Sequence, residues 1–168
     1  LNEGDTVIIS GSAAPGLSKD IFDQIIKTCK DKKADFVIDT SGQALRKAIE
    51  SRPLLIKPNF DEISELFGIE FTSKEEIIPY GKKCLDMGAQ YAIVSMGGDG
   101  ALFFDGDNVY YAPAVKGVLV NSVGAGDSML AGFVGSIKSG LEPLEAFKWS
   151  VASGTGTAFC QDIATKDQ

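Results

Sequence analysis

A three-layer α/β/α fold, with helices covering both faces of a mostly parallel sheet, is what this sequence predicts. Short β-branched runs alternate with amphipathic stretches along the chain, which is the pattern of a buried parallel sheet. Polar and glycine-bearing loops follow the strand-like runs, at residues 10–16, 39–42, 57–62, 95–100 and 124–127. In such sheets ligands gather at the carboxyl ends of the strands, so these loops are expected to converge at one edge. The 168 residues are 44% hydrophobic and 23% charged, which suits one domain with a sizeable core.

Each element has its own local reason. Residues 6–10 (Thr-Val-Ile-Ile-Ser) form a β-branched run ending at a turn-rich loop, hence a strand. Residues 17–29 carry Ile21, Phe22, Ile25 and Ile26 at helical spacing, with Ser18 as N-cap. A strand over 35–39 and a helix over 43–50 come next, then a strand over 54–57 stopped by Pro58. Helices are expected over 62–67 and 74–87, and a strand over 91–95. The apolar runs 101–104 and 109–111 flank Asp105-Gly106-Asp107-Asn108, a hairpin signal. Val118-Leu119-Val120 reads as the last strand. Helices over 125–139 and from Pro143 to about residue 159 close the chain. Ser139-Gly140 ends the first of these, and Pro143 opens the second at a favourable first position. Phe147 and Trp149 are expected in the core or between helices. No internal repeat, low-complexity tract or linker interrupts the chain, so residues 1–168 are expected to form a single domain.

Charge and composition exclude several functions. Net charge is −7 with acids and bases interspersed, which argues against broad attraction to nucleic acid or anionic membrane. No apolar run is long enough to span a bilayer, and no signal-peptide pattern occurs. The absence of histidine removes His-based triads and His-ligated metals. Cys29, Cys84 and Cys160 are far apart and lack metal-ligand spacing, and read as buried thiols of a cytoplasmic protein.

The most informative stretch is Asn121-Ser122-Val123-Gly124-Ala125-Gly126-Asp127, which runs directly into an amphipathic segment. Small residues leave the amides of Gly124, Ala125 and Gly126 bare at a helix start, where the helix dipole favours an anion. Asp127 in that first turn is placed to stay ionised and accept a proton. An anion cradle with a base beside it suggests group transfer to a hydroxyl; the plain alternative is an aspartate capping a helix. A dinucleotide fingerprint fails, because position 129 is Met where Gly or Ala is required. No Gly-x-x-x-x-Gly-Lys-Ser/Thr loop occurs in the chain.

Residues 121–134 resemble the C-terminal signature of the PfkB carbohydrate kinases, which have the ribokinase-like fold, and the likeness includes the small residues Ala131 and Gly132. Lys57-Pro58-Asn59-Phe60-Asp61-Glu62 and Ser95-Met96-Gly97-Gly98-Asp99-Gly100 match that family in the expected order. Residues 9–16 resemble a loop of its phosphofructokinase branch, although Ala13 and Ala14 depart from the pattern. Against the family the chain is expected to be the nucleotide-binding C-terminal part of one ribokinase-like kinase domain. Its first strands and the small β lid, with much of the sugar-phosphate site, would be absent. The chain opens on Leu1 in place of Met, just ahead of an apolar strand, as a mid-protein entry point would.

The resemblance implies roles residue by residue. Asp127 becomes the general base that contacts the acceptor sugar, and Gly124, Ala125 and Gly126 the anion hole. Ser95, Met96, Gly97, Gly98, Asp99 and Gly100 become an ATP-binding loop, for which the alternative is the entry turn of a hairpin. Asn59 and Glu62 become the residues that organise Mg2+ and phosphate, usually through water, with a helix-capping arrangement as the alternative. Lys57 either reaches nucleotide phosphates or ends its strand in solvent. Ser12 matches a substrate-contacting serine, or is only a turn residue. Val151 and Thr155, with Ser153 and Gly154, lie where the family packs its last helices against adenine, or form a small-residue packing face.

The implied reaction moves the γ-phosphoryl of ATP, with Mg2+, to a sugar phosphate. A monovalent-cation requirement and a homodimer of the full-length protein are left open. Fructose 1-phosphate, giving fructose 1,6-bisphosphate, is the expected substrate. Tagatose-6-phosphate kinase shares every motif named here. From other classes, a non-catalytic nucleotide-binding domain comes next and a dinucleotide-dependent oxidoreductase last.

Overall fold

A computed structural model describes residues 1–12, 16–18 and 20–165. Its strands are β1 Thr6–Ser10, β2 Asp35–Asp39, β3 Leu55–Ile56, β4 Tyr91–Ser95, β5 Ala101–Asp105 and β6 Asn108–Ala112. They form one sheet in the order β1-β2-β3-β4-β5-β6. The pairs β1–β2, β2–β3 and β3–β4 are parallel. A two-residue turn, in which Gly106 takes a φ of 53°, joins β5 to β6 as a hairpin. The helices are α1 Ile21–Asp31, α2 Gly42–Ile49, α3 Phe60–Phe67, α4 Lys74–Met87, α5 Ala125–Lys138 and α6 Pro143–Ala158. The mostly parallel α/β sheet expected from the alternation is therefore present. Among the described residues no helix is long and apolar enough to cross a membrane.

The chain packs as two compact units. The first contains Leu1–Val94 and Phe103–Val109. Phe36, Val37 and Ile38 on β2, and Ala92, Ile93 and Val94 on β4, are buried in succession, so both sheet faces are covered there. Leu45 and Ile49 on α2, Ile63 on α3 and Ile77 on α4 have no exposed surface. Each such side chain contributes about 2 kcal/mol by its burial. On α4, Gly81 lies against the fully buried Phe104 ring, which a Cβ at that position would overlap. At the edge, β1 is thinner cover, and Ile8 is exposed.

The second unit contains Ser95–Leu102 and the chain from Tyr110 onward. Its core is the contact of α5 with α6, where Leu130, Phe133, Ala146 and Phe147 are buried. Glycines set the approach of these helices. A Cβ on Gly132 would lie 2.8 Å from the Trp149 carbonyl oxygen, and one on Gly154 would lie 3.0 Å from that of Ala125.

Several expectations from sequence shift. Helix α1 starts at Ile21, because Ser18 Oγ accepts a bond from Asp20 N at 3.3 Å in a turn ahead of the helix. Ser18 is thus a turn residue and not the N-cap. Helix α3 starts at Phe60, ahead of the expected position 62, because Asn59 caps it. The run Val118-Leu119-Val120 is no strand, and Val118 is 80% exposed. The amides of Val120 and Asn121 donate instead to the Ala158 carbonyl. Trp149 is 57% exposed, against its expected burial. The buried stripe of α6 runs through Ala146, Phe147, Ser150, Gly154 and Thr157, and Trp149 falls off it.

Candidate active site

In the first unit, strand register builds a polar cleft. Ser10 pairs with Asp39, and Ile38 with Ile56, so Ser10, Asp39 and Lys57 finish neighbouring strands side by side. Ser10 Oγ donates to Asp39 Oδ2 at 3.4 Å. Lys57 Nζ lies 3.3 Å from Asp39 Oδ1. Lys57 is only 6% exposed, so the solvent-facing alternative does not hold. A lysine this buried needs a partner, and the Asp39 carboxylate beside it is one. Ser10, Gly11, Ser12, Asp39, Thr40, Ser41 and Glu62 line a cleft of about 350 Å³ at this point.

Asn59 and Glu62 form a reciprocal capping box at the start of α3. Asn59 Oδ1 accepts from Glu62 N at 2.9 Å, and Glu62 Oε2 accepts from Asn59 N at 2.9 Å. The capping arrangement is therefore real. It also fixes the Glu62 carboxylate at the cleft wall, where Oε1 is outside the box. Among the described residues no group of three His, Cys, Asp or Glu side chains could cage a metal. A single wall carboxylate fits Mg2+, which keeps most of its waters and takes one or two protein carboxylates.

In the second unit, side-chain and backbone bonds shape the start of α5. Asn121 Oδ1 accepts from Val123 N at 3.0 Å, and Asn121 Nδ2 donates to the Gln161 carbonyl at 3.1 Å. Gly124 is the N-cap with a φ of 80°, a left-handed conformation that an L side chain adopts only with strain. Gly126 is helical, so the demand for positive φ falls on Gly124. Ala125 N donates to Ser122 O at 3.2 Å, so this amide already has a partner. Gly126 N–H belongs to the first turn, where no intrahelical acceptor lies at i−4. Asp127 stands in the same turn with its side chain exposed.

Residues 95–100 wind through a 3₁₀ turn at Gly97–Asp99 between β4 and β5. Met96 N donates to Gly100 O at 2.8 Å, and Tyr111 Oη donates to Asp99 O at 3.1 Å. The entry-turn reading holds for Met96, Asp99 and Gly100, whose backbones are engaged within the turn. Gly97 and Gly98 face open space, with nothing within 4 Å of where a Cβ would stand. Ser95 is half-buried, as are Val151 and Thr155 on α6.

The structure thus brings Ser12, Glu62 and, through Asp39, Lys57 to one cleft of the first unit, with Asn59 holding Glu62. Gly124, Ala125, Gly126 and Asp127 share one helix start in the second. From sequence, Asp39, Thr40 and Ser41 belong only to a loop expected at the ligand edge and carry no individual role. The signal was available in their polar side chains at the end of an apolar strand.

A model described as pfkB family carbohydrate kinase matches residues 1–165. The chain is 49% identical over 167 residues to a 1-phosphofructokinase of Bacillus subtilis, covering 99% of this chain and 55% of that one. It is 37% identical over 169 residues to a D-tagatose-1-phosphate kinase of Bacillus licheniformis, covering 98% and 56%. Among solved structures, Escherichia coli phosphofructokinase-2 in complex with substrates and products superposes with a TM-score of 0.92 at 27% identity, over 99% of this chain and 55% of that one. The same enzyme in complex with potassium gives a TM-score of 0.91, again at 27% identity and over 99% and 55% of the two chains. An Arabidopsis thaliana ribokinase, at 21% identity and a TM-score of 0.77 over 93% of this chain and 50% of that one, shows the likeness of fold. The chain spans about half the length of the curated relatives it matches. With the signature helix start and the parallel sheet both in place, the chain belongs to the pfkB family of carbohydrate kinases.

Proposed function

We propose that the protein containing this chain transfers the γ-phosphoryl group of ATP to a hydroxyl of a ketohexose 1-phosphate, with fructose 1-phosphate as the first candidate. The observation that carries this reading is the exposed Asp127 in the first turn of α5, behind the left-handed Gly124. Phosphoryl transfer needs positioning and charge stabilisation more than covalent chemistry. Asp127 takes the proton of the attacking hydroxyl. The helix start, chiefly Gly126 N–H with the dipole behind it, holds charge that develops on the transferred group. Lys57 has two N–H donors beyond the one aimed at Asp39 for nucleotide phosphates. Gly97 and Gly98 offer an open backbone surface to the nucleotide, and Val151 and Thr155 a half-buried one. Glu62, oriented by Asn59, would hold Mg2+ through its waters, and the ion's contribution there is to neutralise phosphate oxygens. Ser12, at the cleft wall, contacts the acceptor sugar.

A second acceptor, tagatose 1-phosphate, is favoured by the 37% identity to a D-tagatose-1-phosphate kinase. It takes precedence over the tagatose 6-phosphate expected from sequence. A monovalent-cation requirement rests on the relative solved with potassium. ADP release by the full-length protein with Mg-ATP, measured with fructose 1-phosphate, tagatose 1-phosphate, tagatose 6-phosphate and fructose 6-phosphate in turn, tests the proposal. The expected result is the highest kcat/KM on fructose 1-phosphate. ATP binding without turnover on any sugar phosphate would instead make this a non-catalytic nucleotide-binding protein.

A further inference from the structure

One buried hydroxyl in the second unit ties the start of α5 to two other segments. Thr157, near the end of α6, is 1% exposed. Its Oγ1 lies 2.8 Å from Ser128 Oγ, the residue after Asp127. The same oxygen accepts from Ala164 N at 3.2 Å. Its methyl, Cγ2, lies 3.9 Å from where a Cβ on Gly124 would stand. Thr157 therefore touches the first turn of α5 from behind, while Asp127 on that turn faces solvent.

We infer that Thr157 is a positioning residue whose hydroxyl, held by the Ala164 amide and bonded to Ser128, fixes the first turn of α5 and so aims Asp127 and the Gly126 amide. A hydroxyl has one proton and two acceptor positions. With Ala164 N–H in one acceptor position, the proton is available to Ser128 Oγ. The bond is needed at this place because the segment entering α5 lacks strand pairing. Residues 118–120 lie on the surface, and Gly124 contributes no side chain that could pack. The contacts of Gly132 and Gly154 set how close α5 and α6 lie, but neither bonds to the first turn through a side chain. A misplacement of about 1 Å at a reacting group can cost about a hundredfold in rate, so a loosened turn lowers kcat before it weakens binding.

The role in catalysis rests on the kinase reading above; the role in fixing the turn does not, and two measurements separate them. In the full-length protein, Thr157→Val removes the hydroxyl and keeps the shape. Its kcat on the preferred sugar phosphate is expected to fall about tenfold, with KM for Mg-ATP and sugar within about threefold. Thr157→Ser is expected to restore kcat to within about twofold of the parent, because the hydroxyl alone is needed. Hydrogen exchange read on peptides covering residues 121–129 is expected to quicken about tenfold in Thr157→Val and to return in Thr157→Ser, with the first unit unchanged. Parent kcat and parent exchange in Thr157→Val would overturn the inference. Faster exchange throughout the second unit, or failure of Thr157→Ser to restore either readout, would also overturn it, because the effect would then be general packing or the methyl group. If the parent protein had no kinase activity, the exchange data alone would decide the turn-fixing role, and the function reading would fail separately.

Discussion

Lys57 Nζ lies 3.3 Å from Asp39 Oδ1 at the carboxyl ends of adjacent parallel strands, and neither side chain is more than 16% exposed. Strand register makes this pair, since Ile38 lies opposite Ile56 and each residue is the next along its strand. Removing one partner leaves a buried charge without compensation, which is costlier than the pair itself is stabilising. Asp39→Asn is therefore expected to lower unfolding free energy by about 3 kcal/mol, measured by urea denaturation. Asp39→Asn combined with Lys57→Met is expected to recover most of that loss, because the stranded cation is gone. No recovery in the double variant would show that Asp39 acts through Ser10 and the strand end, not through Lys57.

The sheet was legible in the sequence because its period and β-branched runs are local signals, and β1, β2 and β4 begin and end where the residues alone place them. The helix start at Gly124 was legible for the same reason: small residues, Asp127 and an apolar stripe are contiguous. What escaped depends on partners distant in sequence. Lys57 stays divided between a phosphate contact and a solvated strand end until Asp39, on another strand, is placed beside it. Val118-Leu119-Val120 has strand composition but finds no partner strand, and its next backbone donors go to the end of α6. Trp149 looks like core until the buried stripe of α6 is known, because tertiary packing selects which face is covered. Gly124 and Gly126 are equivalent by composition, and only the backbone shows that Gly124 alone requires a positive φ.

The contact of Gly81 with Phe104 gives a second stability test. A Cβ at position 81 would overlap the ring, and Phe104 has no exposed surface into which it can swing. Overpacking of this kind costs about 2 kcal/mol. Gly81→Ala is expected to lower Tm accordingly, even though alanine is the better helix former. Pairing it with Phe104→Leu makes room and is expected to recover part of the loss relative to Gly81→Ala. A Gly81→Ala variant as stable as the parent would show that α4 can shift away from the sheet at little cost.

Burial pushes the Cys84 thiol up to about 12 from 9.0, and burial likewise raises Cys29. The group is a neutral acid, so the folded chain keeps its proton where the unfolded chain releases it. Its contribution is fully present below 9.0 and is lost as pH rises through the folded value of about 12. Stability is thus expected to fall with pH above about 9, with a shallower slope in Cys84→Ala. Iodoacetamide at neutral to mildly basic pH is expected to modify half-exposed Cys160 first, with Cys29 and Cys84 reacting only after denaturant is added. Rapid labelling of Cys84 in the native protein would mean that α4 opens readily from the sheet.

Asp127→Asn separates the catalytic role from the capping one. The substitution keeps the shape and the hydrogen-bonding capacity of a side chain in the first turn of α5, and removes its charge. Asp127 is exposed, and the interaction of a first-turn carboxylate with the helix dipole is worth about 0.5 kcal/mol. Tm is therefore expected to stay within a few degrees of the parent, as about 0.5 kcal/mol implies for a chain of this size. Turnover is another matter, because an amide cannot accept the proton of an attacking hydroxyl. In the full-length protein kcat is expected to fall about a hundredfold to ten-thousandfold, with KM for Mg-ATP changed far less. Steady-state kinetics on the preferred sugar phosphate, run beside a thermal melt, make the comparison. A variant that turns over within severalfold of the parent would reduce Asp127 to an element of the helix start and send the search for the base elsewhere.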